Sequence, residues 1–318
     1  MRGGPAFVIL TQLVCFTTAT KVVSPQFEAA SFGLFAIALV LGACNPSRTE
    51  KVAGVDDFGD SVRVGRAPTR IVSMGPVTTE ILFALGAGAR VVGRSEFDLF
   101  PDSARLIPSL GLSIPPNAEA VLGLRPDLVV MYASGSNRSA ARRFRAAGVN
   151  TLSLKTDRIS DFRRAVTMLG AITGDSAKAK IIIDSVDKTL DRVRSATSAL
   201  PKPTVFWHIW DAPLITIGAG SFMNELVEIA GARNVYADIP GPSETISFED
   251  VARRNPDFIL AGPIGAAAIA RDPRWKIIAA SREKRVLIVD TVLVALPSIR
   301  LGEAAVSLAN LLHAGALR

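Results

Sequence analysis

The chain has 318 residues, of which 49% are hydrophobic and 20% are charged, and this is enough apolar material for a core in two domains. The formal net charge is +7, but the basic residues form no run with interleaved aromatics, and Arg142, Arg143 and Arg145 fit one solvated helix face. The composition therefore excludes disordered, fibrous and low-complexity proteins and argues against a nucleic-acid partner.

The N-terminal segment predicts export. Residues 31–44 read SFGLFAIALVLGAC, an apolar run that ends on small residues and is too short to span a membrane, as in a secretory signal. Its last four residues, LGAC, resemble a bacterial lipobox, in which the cysteine becomes the acylated first residue of the mature protein. We expect residues 1–44 to form a signal peptide with a lipobox, and Cys44 to anchor a periplasmic or cell-surface lipoprotein to its membrane.

Two details of this segment qualify the prediction. A second apolar stretch follows Arg2, which leaves open a true start near Lys21. The only other cysteine, Cys15, lies in the part to be removed, so the mature chain should contain neither a disulfide nor a cysteine metal site.

After the signal, the pattern predicts a short hairpin and then an α/β domain. Residues 45–69 read as a polar tether followed by a hairpin around Gly59. Within residues 70–160, strands and helices alternate: strands are predicted at 70–74, 91–93, 128–131 and 151–154, and helices at 76–85, 118–124 and 139–147. This alternation indicates a parallel sheet that is covered by helices on both faces.

Residues 161–201 predict a helical linker. The segment 161–172 is helical, and Asp175 is a good N-cap for a second helix that runs to Leu200, before Pro201. About 24 residues at 1.5 Å each give a helix of roughly 36 Å, which is long enough to bridge two domains. An ordinary surface helix is the alternative.

An internal repeat favours the bridge. The segment TEILFALGAGARVV at 79–92 is matched by NELVEIAGARNV at 224–235, and AEAVLGLRPDLVV at 118–130 is matched by FEDVARRNPDFIL at 248–260. Residues 202–318 should therefore form a second lobe with the wiring of the first. The predicted fold class is α/β, with two Rossmann-like lobes containing parallel sheets, joined by a single long helix, and a ligand cleft between the lobes.

Six motifs between about residue 70 and the C-terminus are RIVSMGPVTTEILFALGAGARVVG, RPDLVV, SFMNELVEIAGARNVYAD, SFEDVARRNPDFILAG, DPRW and VLIVD. Through these motifs the sequence resembles the helical-backbone class of periplasmic binding proteins, which serve ABC importers of cobalamin, ferric siderophores and haem. The chain looks most similar to the cobalamin-binding members. The resemblance implies a monomeric substrate-binding lipoprotein that has no cofactor, captures a metal chelate and delivers it to a membrane permease.

The same resemblance implies a docking role for two acidic residues. In this class an acidic residue at the top of each lobe binds arginines of the permease, and Glu80 and Glu225 hold equivalent places in the repeat. The alternative is a glutamate in the first helical turn, favoured by the helix dipole by about 0.3–1 kcal/mol. That alternative explains each glutamate but not their matched placement.

Aromatic residues should line the cleft, because several of them follow predicted strand ends. We expect an apolar macrocycle to contact a set of five: Phe97, Tyr132, Trp207, Trp210 and Phe222. Trp207 and Trp210 differ by three positions and must face opposite sides of a strand, so one indole should belong to the core.

The sequence offers few metal ligands. His208 is the only histidine near the expected cleft and is a possible axial ligand for cobalt or iron, although a lone histidine is more often structural. Otherwise no metal site is predicted. Arg94, Arg138 and Arg300 are available to an anionic ferric siderophore, so that ligand class stays open.

Two other functional classes remain as alternatives, an exported α/β enzyme and a structural lipoprotein. The sequence lacks a dinucleotide fingerprint, a Walker loop, an HExxH motif and a GxSxG elbow, and it shows no evident acid/base pair. We therefore predict a binding protein and not an enzyme. Since a helix resists large hinge closure, the lobes should move by only a few degrees on binding.

Overall fold

The computed structural model describes residues 51–315, so the predicted signal peptide, Cys44 and the first part of the tether lie outside the described residues. The described chain begins with the predicted hairpin, which pairs β1 (Lys51–Val55) with β2 (Ser61–Val64) in antiparallel fashion. Within residues 51–315, no helix combines the length and apolar character that crossing a membrane requires.

The N-terminal lobe is a four-stranded parallel sheet with helices between its strands. Its elements are β3 (Ile71–Met74), α1 (Pro76–Ala84), β4 (Val91–Arg94), α2 (Ala118–Gly123), β5 (Leu128–Tyr132), α3 (Arg138–Ala146) and β6 (Asn150–Leu154). The strand order is β4-β3-β5-β6. Local sequence explains the helix starts, since Pro76 occupies the first turn of α1 and the Asn117 side chain accepts the N–H of Ala120 at 3.1 Å.

Two packed helices, α4 (Ile159–Thr173) and α5 (Ser176–Thr197), follow the first sheet. They are separated by Gly174, whose φ of 90° ends α4 in the left-handed conformation that glycine tolerates best. The predicted N-cap is confirmed, because the Asp175 carboxylate accepts the N–H of Lys178 at 2.9 Å. The two helices carry the chain from one sheet to the next.

The C-terminal lobe contains a second four-stranded parallel sheet and a small antiparallel one. Its strands are β7 (Thr204–His208), β8 (Trp210–Asp211), β9 (Leu214–Ile217), β10 (Arg233–Asn234), β11 (Ser243–Thr245), β12 (Phe258–Ala261) and β13 (Val286–Ile288). Its helices are α6 (Phe222–Ile229), α7 (Phe248–Arg254), α8 (Pro263–Arg271), α9 (Ala279–Arg282), α10 (Thr291–Val294) and α11 (Leu301–Leu312). The parallel sheet has the order β10-β7-β12-β13, and the antiparallel sheet has the order β11-β9-β8.

The two parallel sheets confirm the predicted repeat. In both, the first strand of the lobe pairs with the second and third, and the fourth lies outside the third. Even a backbone detail recurs, because Arg125 (φ 46°) and Asn255 (φ 39°) both adopt the left-handed conformation just before the Pro-Asp turn that leads into the third strand. The predicted two-lobed α/β fold is therefore confirmed.

One hydrophobic core runs through both lobes. It joins Leu82 of α1, Val186 of α5, Leu226 of α6 and Leu308 of α11, all of which are buried. Each lobe also has a separate cluster on the outer face of its sheet. Because the core continues through α5, a large rotation of one lobe would open apolar surface to water, which favours small movements.

Candidate ligand-binding cleft

Two cavities lie beyond the strand ends of the parallel sheets. The larger cavity lies beyond the carboxyl ends of β7 and β12 in the C-terminal lobe. Its volume is about 490 Å³. Most of its lining is apolar, and the residues include Trp207, Ile209, Trp210, Met223, Pro263, Ile264, Ala268, Val294 and Ala295. The polar members are His208, Asp211 and Thr291. A position beyond strand ends in a parallel sheet is where ligands of such folds bind.

A smaller cavity of about 170 Å³ lies beyond the strand ends of the N-terminal lobe. It is lined by residues at the ends of β3, β5 and β6, together with Ile114 and Thr156. Leu296, which belongs to the other lobe, completes the lining. The contact from Leu296 shows that this cavity faces the C-terminal lobe, so the carboxyl edges of both sheets form a shared cleft.

Exposed apolar side chains follow the strand ends in both lobes. In the N-terminal lobe they are Phe97, Leu99, Phe100, Leu106, Leu112 and Ile114, all in the long loop after β4. In the C-terminal lobe they are Ile209, Trp210, Ile264 and Val292. Large apolar side chains left in water on one face mark a binding site for an apolar ligand surface.

The two predicted tryptophans separate as their spacing requires. Trp207 is 2% exposed and packs in the shared core below the cavity. Trp210 is 61% exposed at the cavity wall, and its indole N–H donates to the carbonyl of Ala212 at 3.2 Å. Trp210 therefore has an accessible face for a flat ligand, whereas Trp207 mainly supports the cavity floor.

Tyr132 lines the smaller cavity, whereas Phe97 lies in the loop after β4 and lines neither cavity. The Phe97 ring is 59% exposed. The hydroxyl of the half-buried Tyr132 donates to Asp157 at 2.7 Å, and burial together with this bond to a carboxylate raises the pKa of the phenol. Tyr132 therefore stays neutral and is engaged within the protein.

Phe222 departs from the expectation. Its ring is buried in the shared core, and its backbone N–H donates to the carbonyl of Asp157, in the other lobe, at 2.7 Å. The residue starts α6 under the lobe interface, so its side chain has almost no surface to offer a ligand. We do not retain Phe222 among the proposed ligand contacts.

Both nitrogens of the His208 ring are covered. Its Nε2 lies 3.2 Å from the Asp211 carboxylate, and its Nδ1 lies so close to Gly265 that a Cβ added there would be 2.6 Å away. Phe206 and Trp275 pack edge-on against the ring. Direct metal ligation by His208 would therefore require the side chain to break its bond to Asp211 or to move.

Other metal donors are scarce in the described chain. Between residues 51 and 315 there is no group of three histidine, cysteine or acidic side chains placed to hold a metal ion. Met223 lines the larger cavity, but a thioether is a soft ligand for Cu(I) and haem iron and not for a ferric siderophore. The cleft therefore favours a chelate that brings its own metal ligands.

The three candidate arginines are each engaged elsewhere. Arg94 is buried and donates to the carbonyls of Ser95 at 2.8 Å and Ile107 at 3.1 Å. The Arg138 guanidinium lies over the ring of Phe58, 4.4 Å from its centroid. Arg300 forms an ion pair with the carboxylate of Glu80. The arginine cluster that an anionic siderophore would use is therefore not assembled from these residues.

The acidic residues expected to dock on a permease instead lie between the lobes. Glu80 is 1% exposed and pairs with Arg300 of the C-terminal lobe at 3.2 Å. Glu225 is half-buried and lies 3.7 Å from Arg158. A carboxylate as buried as that of Glu80 has no surface for a second protein, so we do not retain Glu80 as a docking residue.

Sequence reasoning missed two kinds of residue. Ile264 was not identified as a cleft residue, although it follows a strand that ends at the cleft, and an apolar residue just after such a strand was the available signal. The pairing of Glu80 with Arg300 had no local signal, because the partners are 220 positions apart.

Comparison with known proteins points to one family. A family model described as periplasmic binding protein matches residues 71–293. The ABC transporter substrate-binding lipoprotein YvrC of Bacillus subtilis is 30% identical over 268 residues, which cover 81% of this chain and 85% of that relative. A vitamin B12-binding protein of Vibrio vulnificus is 24% identical over 216 residues, covering 68% of this chain and 78% of the relative.

Solved structures share the same two-lobed fold. The vitamin B12-binding protein BtuF of Vibrio cholerae has a TM-score of 0.69 at 21% identity, covering 77% of this chain and 97% of its own. The haem-binding protein RhuT of Roseiflexus has a TM-score of 0.70 at 23% identity, covering 78% and 99%. Proteins that bind different chelates thus share one scaffold, and the choice among ligands has to be argued from the cleft.

Proposed function

This chain belongs to the periplasmic binding protein family and is an ABC-type substrate-binding protein of the class that carries vitamin B12, haem and siderophores, and we propose that its own cargo is cobalamin or another corrinoid. The family consists of transport proteins and not of enzymes. We further propose that the mature chain is a lipoprotein anchored through Cys44, as LGAC indicates.

The observation that carries the cargo assignment is an apolar cleft without an assembled set of metal ligands. A corrinoid supplies its cobalt with the four ring nitrogens and a lower axial base, so the protein needs only to cover its faces and edges. Trp210 and Phe97 offer exposed aromatic surface on opposite lobes, which suits a broad, largely apolar ring system.

The two other cargo classes fit less well. Haem in a binding protein is held by a side-chain ligand to its iron. Both nitrogens of His208 are covered and the Tyr132 hydroxyl donates to Asp157, which leaves the Met223 thioether as the candidate iron ligand in the larger cavity. An anionic ferric siderophore would need free guanidinium groups, but those of Arg94 and Arg300 are occupied.

A different pair of acidic residues suits permease docking. The repeat also matches Glu119 of α2 with Glu249 of α7, and both side chains are exposed in the first turn of their helices. Each helix precedes a strand of the parallel sheet, so its N-terminus lies at the edge of the sheet where the strands end, which is the cleft side. Because both glutamates are in the first turn, both lie beside the cleft. Glu119 holds only an exposed ion pair with Arg143, which a permease arginine is able to replace at little cost.

Calorimetric titration tests the cargo assignment. The chain lacking residues 1–44 retains every described element and would be titrated with cyanocobalamin, haem and a panel of ferric siderophores. We expect one-to-one binding of cyanocobalamin with a dissociation constant below about 1 µM, or roughly −8 kcal/mol, and weak binding of the others. Tight binding of haem or a siderophore alone would refute the corrinoid assignment, and no binding at all would return the structural and enzymatic alternatives.

A further inference from the structure

At two places a carboxylate of one lobe pairs with a guanidinium of the other. We propose that these two ion pairs set the angle between the lobes and therefore the width of the cleft. Glu80 of the N-terminal lobe meets Arg300 of the C-terminal lobe, which we name the buried latch. Glu225 of the C-terminal lobe meets Arg158 at the end of the N-terminal lobe, which we name the exposed latch. The two latches act with or without cargo, so their role goes beyond the proposed function.

The buried latch is a two-point contact. Arg300 Nη2 lies 3.2 Å from Glu80 Oε1, and Arg300 Nε lies 3.5 Å from Glu80 Oε2. The guanidinium also lies 4.3 Å from the ring centroid of Phe100 and donates to the carbonyl of Val292 at 3.0 Å. Because the two side chains are only 13% and 1% exposed, loss of either partner would leave a charge buried without compensation.

The exposed latch is weaker. Arg158 Nη1 lies 3.7 Å from Glu225 Oε1, and the two side chains are 47% and 29% exposed. Two hydrogen bonds reinforce the contact, since Arg158 donates to the carbonyl of Ala219 at 2.7 Å and Glu225 accepts the N–H of Ile159 at 3.4 Å. Water screens a pair of this kind, so it should break before the buried latch does.

The repeat relates the two latches. Glu80 and Glu225 hold equivalent positions in the matched helices α1 and α6. Arg158 and Arg300 are also equivalent, because they are the N-cap residues of α4 and α11. In each lobe, this helix is the first one longer than a single turn after the last strand of the parallel sheet. Each lobe therefore contributes one glutamate and one arginine.

The location of the arginines supports a role between the lobes. The N-terminus of a helix carries a partial positive charge, so a cation at the N-cap is electrostatically unfavourable. Local helix preferences therefore do not account for arginine at both N-caps. A carboxylate from the opposite lobe does, because it compensates the guanidinium in each case.

The difference in burial predicts the order in which the two contacts break. Residues of the shared core adjoin both latches, but the buried latch is closed off from water whereas the exposed latch is open to it. Separation of the lobes should therefore break the pair of Glu225 and Arg158 before that of Glu80 and Arg300. A permease that pulls on the lobes would then release cargo by breaking the exposed latch.

Spin labels on the two lobes provide a test that needs no ligand. The only cysteines of the full chain are Cys15 and Cys44, so the chain lacking residues 1–44 accepts two new cysteines without background. Ser139→Cys on α3 and Ala270→Cys on α8 place labels at exposed positions of opposite lobes. Double electron–electron resonance then reports the distribution of distances between the lobes.

The exposed latch is tested with three variants. Glu225→Gln and Glu225→Arg should broaden the distance distribution and shift it to larger values, and the double exchange Arg158→Glu with Glu225→Arg should restore the narrow distribution. Asp56→Asn is the control, because it removes a more buried ion pair, with Arg145 at 2.6 Å, that joins the hairpin to the N-terminal lobe and does not cross between the lobes. This control should leave the distribution unchanged. Glu80→Gln should broaden it most, and if that variant does not fold, the exposed-latch variants decide the question.

An unchanged distribution in both Glu225 variants would overturn the proposal, as would an equal broadening in Asp56→Asn. Stopped-flow displacement measures the rate at which bound cyanocobalamin is released. This rate should be roughly two- to fivefold higher in Glu225→Gln than in the wild type, a factor that corresponds to about 0.5–1 kcal/mol. If the wild-type chain binds no corrinoid while the distances respond as described, the latches stand and only the cargo assignment fails.

Discussion

The N-terminal and C-terminal lobes have one scaffold but two different cleft walls. Their parallel sheets have the same strand order, and the Pro-Asp turn before the third strand is tied down alike: the carboxylates of Asp127 and Asp257 accept the backbone N–H groups of Thr69 and Thr204, each at 2.7 Å. These shared residues fix the backbone. The repeat therefore accounts for the cleft's position but not for what binds there.

The cleft walls differ because the insertions differ. The N-terminal lobe contributes a long loop after β4, which carries Phe97 and Phe100. The C-terminal lobe instead adds the antiparallel strands β8, β9 and β11, which place Trp210 beside the larger cavity. Cargo specificity should therefore reside in the parts of each lobe that the repeat does not share.

The largest expected effect concerns Glu119 and Glu249, the exposed glutamates at equivalent positions of the two lobes. Glu119→Arg and Glu249→Arg should each abolish corrinoid uptake in cells that lack the native copy, because a reversed charge repels permease arginines. Calorimetry should show unchanged cargo affinity in both. Glu303→Arg, an exposed first-turn glutamate on α11, is the control and should transport normally. Normal uptake by both cleft-side variants would contradict the docking assignment.

A second comparison lies within the C-terminal lobe, between a core indole and a cleft indole. Trp207→Ala removes a side chain that is 2% exposed and should lower the free energy of unfolding by about 3–5 kcal/mol. Urea denaturation measures this loss. Trp210→Ala should leave the unfolding free energy within about 0.5 kcal/mol, since its side chain is largely in water. Equal losses in the two variants would contradict the assignment of Trp207 to the core.

The contributions of the two cleft walls are compared through the cyanocobalamin affinity of variants in each wall. Trp210→Ala should weaken cyanocobalamin binding by about 2 kcal/mol, or roughly 30-fold, because an aromatic anchor loses its contact area. Phe97→Ala should weaken it by about 1 kcal/mol, or roughly fivefold. Leu106→Ala is the control, because this leucine lies in the same loop as Phe97 and is 86% exposed but carries no aromatic ring. If all three variants bind equally, the ligand does not lie between these walls.

The matched aspartates test the shared scaffold. Hydrogen bonds from the Thr204 N–H and hydroxyl lower the pKa of Asp257, and for Asp127 the bonds from Thr69 and Arg70 outweigh the opposing effect of burial on its pKa. A lowered folded pKa gives stability that is present above the unfolded pKa of about 3.9 and is lost as the pH falls through the folded value. Asp257→Asn and Asp127→Asn should each cost about 1 kcal/mol at pH 7. Denaturation between pH 7 and 3 should show both deficits shrinking together, and a deficit in one lobe only would break the equivalence.

The smallest effect concerns Glu225, whose pKa is raised mainly by burial, against the opposing effects of the Ile159 N–H and Arg158. A raised folded pKa means that the carboxyl contributes stability below its unfolded pKa of about 4.3, and that this contribution is lost as the pH rises through the folded value. The wild type should therefore gain stability relative to Glu225→Gln, by under about 1 kcal/mol, as the pH falls from 7 through the folded pKa of this carboxyl. Parallel denaturation profiles for the two proteins would contradict this sign.

Features with local or periodic signals were predictable from the sequence. The helices, the parallel strands and the repeat follow from residue spacing, and the opposite orientations of Trp207 and Trp210 follow from strand geometry. The burial of Glu80 was not predictable, because it depends on Arg300 in the other lobe. His208 shows the same limit, since Asp211 lies three positions away but Gly265, which covers the other ring nitrogen, comes from a separate strand end. Contacts made across the fold decide which polar residues face the ligand.

The central claim is that the cleft holds a corrinoid without donating a ligand to its metal. The most direct measurement is the visible absorption spectrum of aquocobalamin that elutes with the protein in gel filtration. We predict that the corrinoid co-elutes and keeps the cobalt bands of the free compound. Failure to co-elute would contradict the claim, as would a shift of these bands that disappears in His208→Ala.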